Sequence, residues 1–485
     1  MNKHSAATTP ILPGFQPDPT ICRVGRDYYL ATSSFEYFPA VPIFHSTDLV
    51  AWEQIGHILD RPEQLGLSER TPSGGLYAGT LRHHAGTFYY VTSNASAHDA
   101  GPFIVTAADP AGPWSDPIHI PEAIGIDPDI CWDEDGRCLL TWHVLDFVNG
   151  GQAVRQAHID PATGRFHAPP VDVWQGSGLP AAESPHLYRI GDWWYQVLAE
   201  GGTERGHCVT VARARRPEGP FEGCPANPVF TRRSTFETVL NVGHADFVEA
   251  PGGGWAAVYL GVRSAGSTPG FHVLGRETFV AGIDWVDGWP EFDLDRYTVA
   301  PSERAFEDHF LTAELDLRWV VPTGDLTSID VLTPGVRVPA GSRLCTRVQD
   351  LRWRAQAAIV KSGGFGLRID PRHSYDLRLA DGVVVAQATI GDVSALLAEF
   401  AVGGQDVVLS IEAVDPGTAA VPVGHAGPDD IVLSVVVEGE TIELARLDGR
   451  YLSTEVASGF TGRVLALGSD RDATTVRNFT YSPTR

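Results

Sequence analysis

Residues 25–33 read GRDYYLATS, a glycine turn that runs straight into an aromatic strand. The device returns four times, as GTFYYVTSN from Gly86, GRCLLTWHV from Gly136, GDWWYQVLA from Gly191 and GGWAAVYLG from Gly253. The intervals are 61, 50, 55 and 62 residues. Short strands and glycine turns repeating at this period are the pattern of propeller blades, each a four-stranded sheet. Five repeats predict five blades. Their flanks repeat too: HSTDLVAWEQIG (45–56), TAADPAGPWSDPI (106–118), HIDPATGRFHAPP (158–170) and ARARRPEGPFEGC (212–224) each join a strand to a Pro/Gly loop with an aromatic. The fifth unit ends in GRETFVAGIDWVDGWPEF (275–292). Helical periodicity is sparse, which disfavours an α/β barrel, where a helix follows every strand.

Ahead of each glycine turn lies a further short strand, and its opening residues are the informative ones. They are Asp18 in PDPTICRV, Tyr77 in YAGTLRHH, Asp127 in DPDICWDED, Glu183 in ESPHLYRI and His244 in GHADFVEA. Equivalent strands of a propeller line the central axis, so these five positions are expected to converge in one ring. Taken alone, Pro17-Asp18-Pro19 is a turn whose prolines restrain the acid and push it toward extended backbone. Three acids in register on three of five blades exceed turn chemistry. Crowded, partly buried carboxylates perturb one another's pKa values, which separates an acid from a base, and glycoside hydrolysis needs such a pair.

At 485 residues the chain exceeds what one hydrophobic core usually supports, so two domains are expected, divided at 1–301 and 302–485. The net charge is −24, and Lys3 and Lys361 are the only lysines, which argues against nucleic-acid or anionic-membrane partners. No apolar run is long enough to span a membrane, and MNKHSAATTPILPGF lacks the regions of a secretory signal, giving a cytoplasmic expectation. The six cysteines form no CxxC pair and read as reduced structural thiols.

The motifs PDPTI, GIDPDI, ESPHLY and LGRETF, with FEYFPAVPIFHSTDLVAWEQIGHIL (35–59), resemble glycoside hydrolase family 43, in its β-xylosidase and α-L-arabinofuranosidase branch. The resemblance implies a five-bladed β-propeller followed by a jelly-roll-like β-sandwich. It implies Asp18 as general base, Glu183 as general acid, and Asp127 as the group that orients the acid and raises its pKa. Inversion at the anomeric carbon requires roughly 6.5–9.5 Å between base and acid to admit water. Arg276 of LGRETF would pair with the carboxylates and a sugar hydroxyl. Phe35 and Tyr77 would wall the pentose pocket, and His244 would face the central channel, where some relatives hold a metal or water. No cofactor is required by this reading; a structural Ca2+ or other divalent ion in the channel is the one metal it allows.

There are departures from the family pattern. Asp129 adds an acid two residues after Asp127, on the same strand face; Gly79 stands where proline is common; and TWHVLDFVNGG (141–151) has no close counterpart. From FEDHFLTAELDLRW (306–319) onward, alternating strands with Asp-Gly and Glu-Gly turns predict an antiparallel sandwich. Alone it could be a carbohydrate-binding module; the resemblance instead implies that Phe460 of SGFTGRVLAL closes the pocket, making the enzyme exo-acting on oligosaccharide chain ends. A non-catalytic sugar-binding propeller and an interaction scaffold are the competing classes, and relatives suggest a homo-oligomer, dimer or tetramer.

Overall fold

The computed structural model describes residues 8–65, 71–146, 151–300, 304–403, 407–417 and 426–484. Five antiparallel meanders follow one another in chain order, each built outward from its first strand. Blade I runs from Thr20–Val24 to Glu53–Leu59, blade II from Leu76–His84 to Ile118–His119, and blade III from Ile126–Trp132 to Arg165–Phe166. Blade IV runs from Glu183–Ile190 to Glu222–Gly223 and blade V from Val239–Glu249 to Trp289–Asp293. Blades III and IV carry one extra short strand each. Strand alternation puts apolar side chains on both faces of every blade, and neighbouring blades bury them against each other. Val91 and Ile104 of blade II meet Ile130 and Trp142 of blade III, while Val197 and Val211 of blade IV meet Val239 and Phe279 of blade V.

The ring closes through the N-terminal segment. Leu12 pairs with Thr278 on the third strand of blade V, and the amides of Ile11 and Leu12 donate to its carbonyl at 2.9 and 3.2 Å. A second domain follows, two packed antiparallel sheets of eight and six strands. Trp353, Ala355, Ala357 and Ile359 are buried while alternate residues of that strand are not, and they face a core that includes Phe365, Leu367 and Leu377. Two of its hairpins turn at Asp381-Gly382 and Glu438-Gly439, with positive φ at all four residues, the geometry that matches strand twist. The boundary expected at 301/302 lies outside the described residues. No described helix is long and apolar enough to cross a membrane, and all six cysteines are free and buried.

The domains meet along the segment that leads to Asp18. Arg347 of the sandwich donates to the Phe15 carbonyl at 2.9 Å, and Gly14 lies so close that a Cβ there would come within 2.6 Å of the Val348 carbonyl oxygen. With φ +79° as well, this position is restricted to glycine.

Midway down the axis, Arg82 of blade II joins all the other blades. Its guanidinium donates to Asp246 of blade V at 2.8 and 3.2 Å, to Asp129 of blade III at 3.0 Å, to His186 of blade IV at 3.2 Å and to the Ile21 carbonyl of blade I at 3.4 Å. Asp246 also accepts from the Thr20 hydroxyl and the Ile21 amide. Burial alone would raise the Asp246 pKa, but Arg82, His186 and the hydrogen bonds outweigh it and bring it down to about 2. The unfolded chain titrates near 4. The stabilisation is therefore complete above that value and is lost as pH falls from about 4 to about 2. We predict that Asp246→Ala, which leaves a buried guanidinium undercompensated, costs about 3–5 kcal/mol of stability at neutral pH. Urea denaturation checks this, and a loss below about 1 kcal/mol would mean that the network does not hold the blades together.

Candidate active site

All five positions selected by register, Asp18, Tyr77, Asp127, Glu183 and His244, line one cavity of about 170 Å³. Arg276, Phe35 and Phe460 line it too, so every site residue expected from the sequence is brought together. The cavity is smaller than the roughly 300–1,000 Å³ of sites for drug-sized ligands and suits one small ring.

The backbone at this end of the axis is unusual. Asp18, Asp127, Ser184 and His244 have φ of 54°, 53°, 52° and 49°, and Phe35 has 51°. Left-handed backbone at non-glycine residues costs on the order of 1–3 kcal/mol each and is found where surrounding structure enforces it. The extended conformation expected for Asp18 is therefore corrected. The Pro17 carbonyl accepts from Ser33 and the Gln16 amide donates to the Arg276 carbonyl, so tertiary pairing, not proline, decides the conformation. Irregular register at Leu76/Gly79, Glu183/His186 and Leu240/Gly243 accompanies the turns, and such bulges re-aim side chains.

Arg276 donates from Nη1 to Asp18 at 2.8 Å and to the Thr203 hydroxyl at 3.1 Å. The Ser184 hydroxyl donates to Asp127 at 2.8 Å, which leaves its oxygen to accept from His244 Nδ1 at 3.0 Å; that nitrogen is also 3.5 Å from Asp18. Burial, Glu183 and Asp18 together push Asp127 well above the usual carboxylate range, against the Ser184 hydrogen bonds. Burial and Asp18 raise Glu183, with Arg276 opposing. Asp127, expected as the modulator of its neighbour, is itself pushed toward its protonated form, because it is buried and faces two other acids. Asp127 and Glu183 repel each other when both are ionised, which favours a proton on one of them. Asp129, which sequence spacing confuses with Asp127, lies deeper on the axis in the Arg82 network and lines no part of the cavity.

The aromatic wall comes from both domains. Phe35 stacks on Phe460 at 5.7 Å with 22° between planes, and Tyr77 meets Phe460 edge-on at 5.8 Å. Arg276 lies over both phenyl rings. Phe460 is seated by its amide on the Ser73 hydroxyl at 2.9 Å, and the segment before it is pinned by Glu455, which bonds the amide and ring of His272 at 2.9 and 2.7 Å. Sequence reading missed Ser184, Thr203 and His207. Ser184 stood inside a quoted motif, whereas Thr203 and His207 sit in a loop, GGTERGH, that belongs to no repeat.

Burial chiefly, aided by nearby His186, His207 and Arg276, lowers His244 to about 3, so it is neutral and free to bind a metal by charge. The donor set does not follow: Asp18 is taken by Arg276, and among the described residues no three His, Cys, Asp or Glu side chains are grouped to hold an ion. No step is assigned to a metal.

Residues 7–290 match the family model of the glycosyl hydrolases family 43. The chain is 46% identical over 294 residues to a xylosidase/arabinosidase of Butyrivibrio fibrisolvens, covering 59% of this chain and 56% of that protein. It is 35% identical over 497 residues to the non-reducing end alpha-L-arabinofuranosidase BoGH43B of Bacteroides ovatus, covering 93% and 89%. A solved Bacteroides ovatus structure, Xyloglucan PUL GH43B, superposes with a TM-score of 0.86 at 31% identity, covering 98% of this chain and 99% of that one. The chain therefore spans little more than half of the first relative and most of the other two.

The raised carboxyl is open to direct observation. Glu36, which burial raises to about 7, gives a protonated-carboxyl band of its own, so we predict that the infrared difference between the wild type and Asp127→Asn retains such a band at about pH 5.5, above the ordinary range of Asp and Glu. In Glu183→Gln the Asp127 band should titrate at lower pH, because Asp127 loses its repelling neighbour; no such band in the difference spectrum would overturn the assignment.

Proposed function

The chain belongs to the glycosyl hydrolases of family 43, and from that premise we propose an inverting, exo-acting hydrolase. It releases a terminal pentose, β-D-xylose or α-L-arabinofuranose, from xylo-oligosaccharides or arabinoxylan fragments. The observation that carries the reading is the division of labour among three acids lining one cavity: Asp18 is bound by Arg276, while burial and like charge raise Asp127 and Glu183. Acid–base catalysis requires that separation, and sugar binding alone does not.

In the proposed reaction, Asp18 takes a proton from a water as the water oxygen attacks the anomeric carbon. Glu183 gives its proton to the departing glycosidic oxygen as the old bond breaks. The anomeric configuration inverts because attack and departure occur on opposite faces of the ring. With the proton on Glu183 for this step, Asp127 is ionised, and the Ser184 hydroxyl and amide stabilise it. Arg276 holds Asp18 in place and offers its remaining donors to a hydroxyl. Phe35, Tyr77 and Phe460 supply apolar faces to the sugar ring. Phe460, brought to the cavity lining from the second domain and packed on Phe35 and Tyr77, supports removal of terminal residues. The named activities of the relatives cover both pentoses.

Hydrolysis of aryl β-xyloside and aryl α-arabinofuranoside tests the proposal, and turnover of neither would sink it. NMR should show the inverted anomer first; a retained anomer excludes the mechanism. Asp18→Asn, which keeps a hydrogen-bond partner for the buried Arg276, should lower kcat by about 10²–10⁴-fold with the fold retained by circular dichroism. Because Glu183 must be protonated, kcat/KM should fall as pH rises through its raised pKa. Glu183→Gln should abolish that limb while sparing substrates whose leaving group needs no protonation.

A further inference from the structure

His207 is used by none of the steps above, yet its ring lines the cavity. It ends the loop 201–207, which is tied down by the Gly201 amide on the Pro180 carbonyl at 2.7 Å and by the Thr231 hydroxyl on the His207 carbonyl at 3.0 Å. The ring lies flat on Gly243, where a Cβ would come within 2.5 Å of it. A side chain at that position would displace the imidazole, so the inner strand of blade V and the ring are fitted to each other.

The tautomer follows from a single contact. Nδ1 lies 2.9 Å from the Asn241 carbonyl oxygen, and a carbonyl only accepts, so Nδ1 carries the hydrogen. A neutral imidazole has one N–H, which leaves Nε2 with an exposed lone pair. Burial above all, with Arg276, lowers this histidine to about 4, so the neutral form persists across the neutral range. Among the described residues Nε2 meets no protein donor, and it is not among the polar atoms sealed from solvent. The residue is only 4% exposed, and what it exposes is cavity. Neighbouring acceptors are already engaged: Asp18 by Arg276 and Asp127 by Ser184. A fixed, uncharged acceptor in a sugar-sized cavity matches a hydroxyl hydrogen.

We propose that Nε2 of His207 accepts a hydrogen bond from one hydroxyl of the bound pentose, which makes His207 a specificity-determining residue of the sugar pocket. The inference rests on the hydrolase reading for its ligand class. A site built to bond a hydroxyl discriminates strongly against the analogue that lacks it, because the buried partner is left unpaired.

The test compares the wild type and His207→Phe on the preferred aryl pentoside and on each of its monodeoxy analogues. The wild type should lose about 10- to 100-fold in kcat/KM on one analogue. In His207→Phe that ratio should collapse toward one, with the ratios for the other analogues kept. Unchanged ratios throughout would overturn the proposal. Wild-type protein labelled with ¹⁵N-histidine gives a check independent of the variant's folding. Saturation with free xylose or arabinose should shift the unprotonated Nε2 resonance of His207 upfield; a resonance that neither sugar moves also overturns the proposal. If the wild type hydrolyses neither parent glycoside, the hydrolase reading fails, and this titration still decides the role of His207.

Discussion

One planar cation holds the axis together. Arg82 leaves blade II and bonds to each of the other four blades. A lysine could supply the charge but not the fork, since a rotating ammonium has three donors in no fixed plane. Five blades around an axis have to converge somewhere, and Asp129 and Asp246 are wholly buried there, so their oxygens depend on protein donors. Convergence on a single guanidinium with carboxylates on both sides satisfies them directly.

The same axis holds a second set of acids under the opposite condition. Asp246 and Asp127 are both buried, yet Asp246 is pulled down to about 2 and Asp127 is driven up. Burial raises both. What separates them is company: Asp246 meets Arg82, whereas Asp127 meets Glu183 and Asp18 while Arg276 is committed to Asp18. Acids outnumber the cation three to one at the upper end, so a proton is retained there. Acid–base chemistry needs that imbalance, and the compensated level below keeps the ring intact while the upper level carries it. The left-handed residues at the strand openings belong to the same economy, for they turn the carboxylates inward at a conformational cost that the surrounding blades sustain.

Much of this was legible in the chain. A fivefold repeat announces itself through glycine turns, and register alone selected Asp18, Tyr77, Asp127, Glu183 and His244, because inner strands of equal role must open at one end. Phe460 was legible only by resemblance, since nothing local to SGFTGRVLAL says that it crosses into another domain. Arg82 and Ser184 sat unread inside quoted motifs; their importance comes from partners on other blades, distant in sequence. His207 lay in a loop without a repeat to index it. The conformation of Asp18 was misread for a related reason. Local proline rules describe a free chain, and here pairing with Arg276 and Ser33 overrides them.

The closure of the ring by residues 11 and 12 bears on how the molecule is made. The segment that pairs with blade V is the one that then delivers Asp18 to the axis, so its seat does not exist until the strand bearing Thr278 has been synthesised. Residues 11 and 12 must wait for blade V. Phe460 and Glu455 come later still, bonded to Ser73 and His272, residues made long before them. The site is therefore assembled late: blades can collapse pairwise as they emerge, but the acid, the base and the pocket wall become neighbours only when the segments around Leu12 and Phe460 have both found their places.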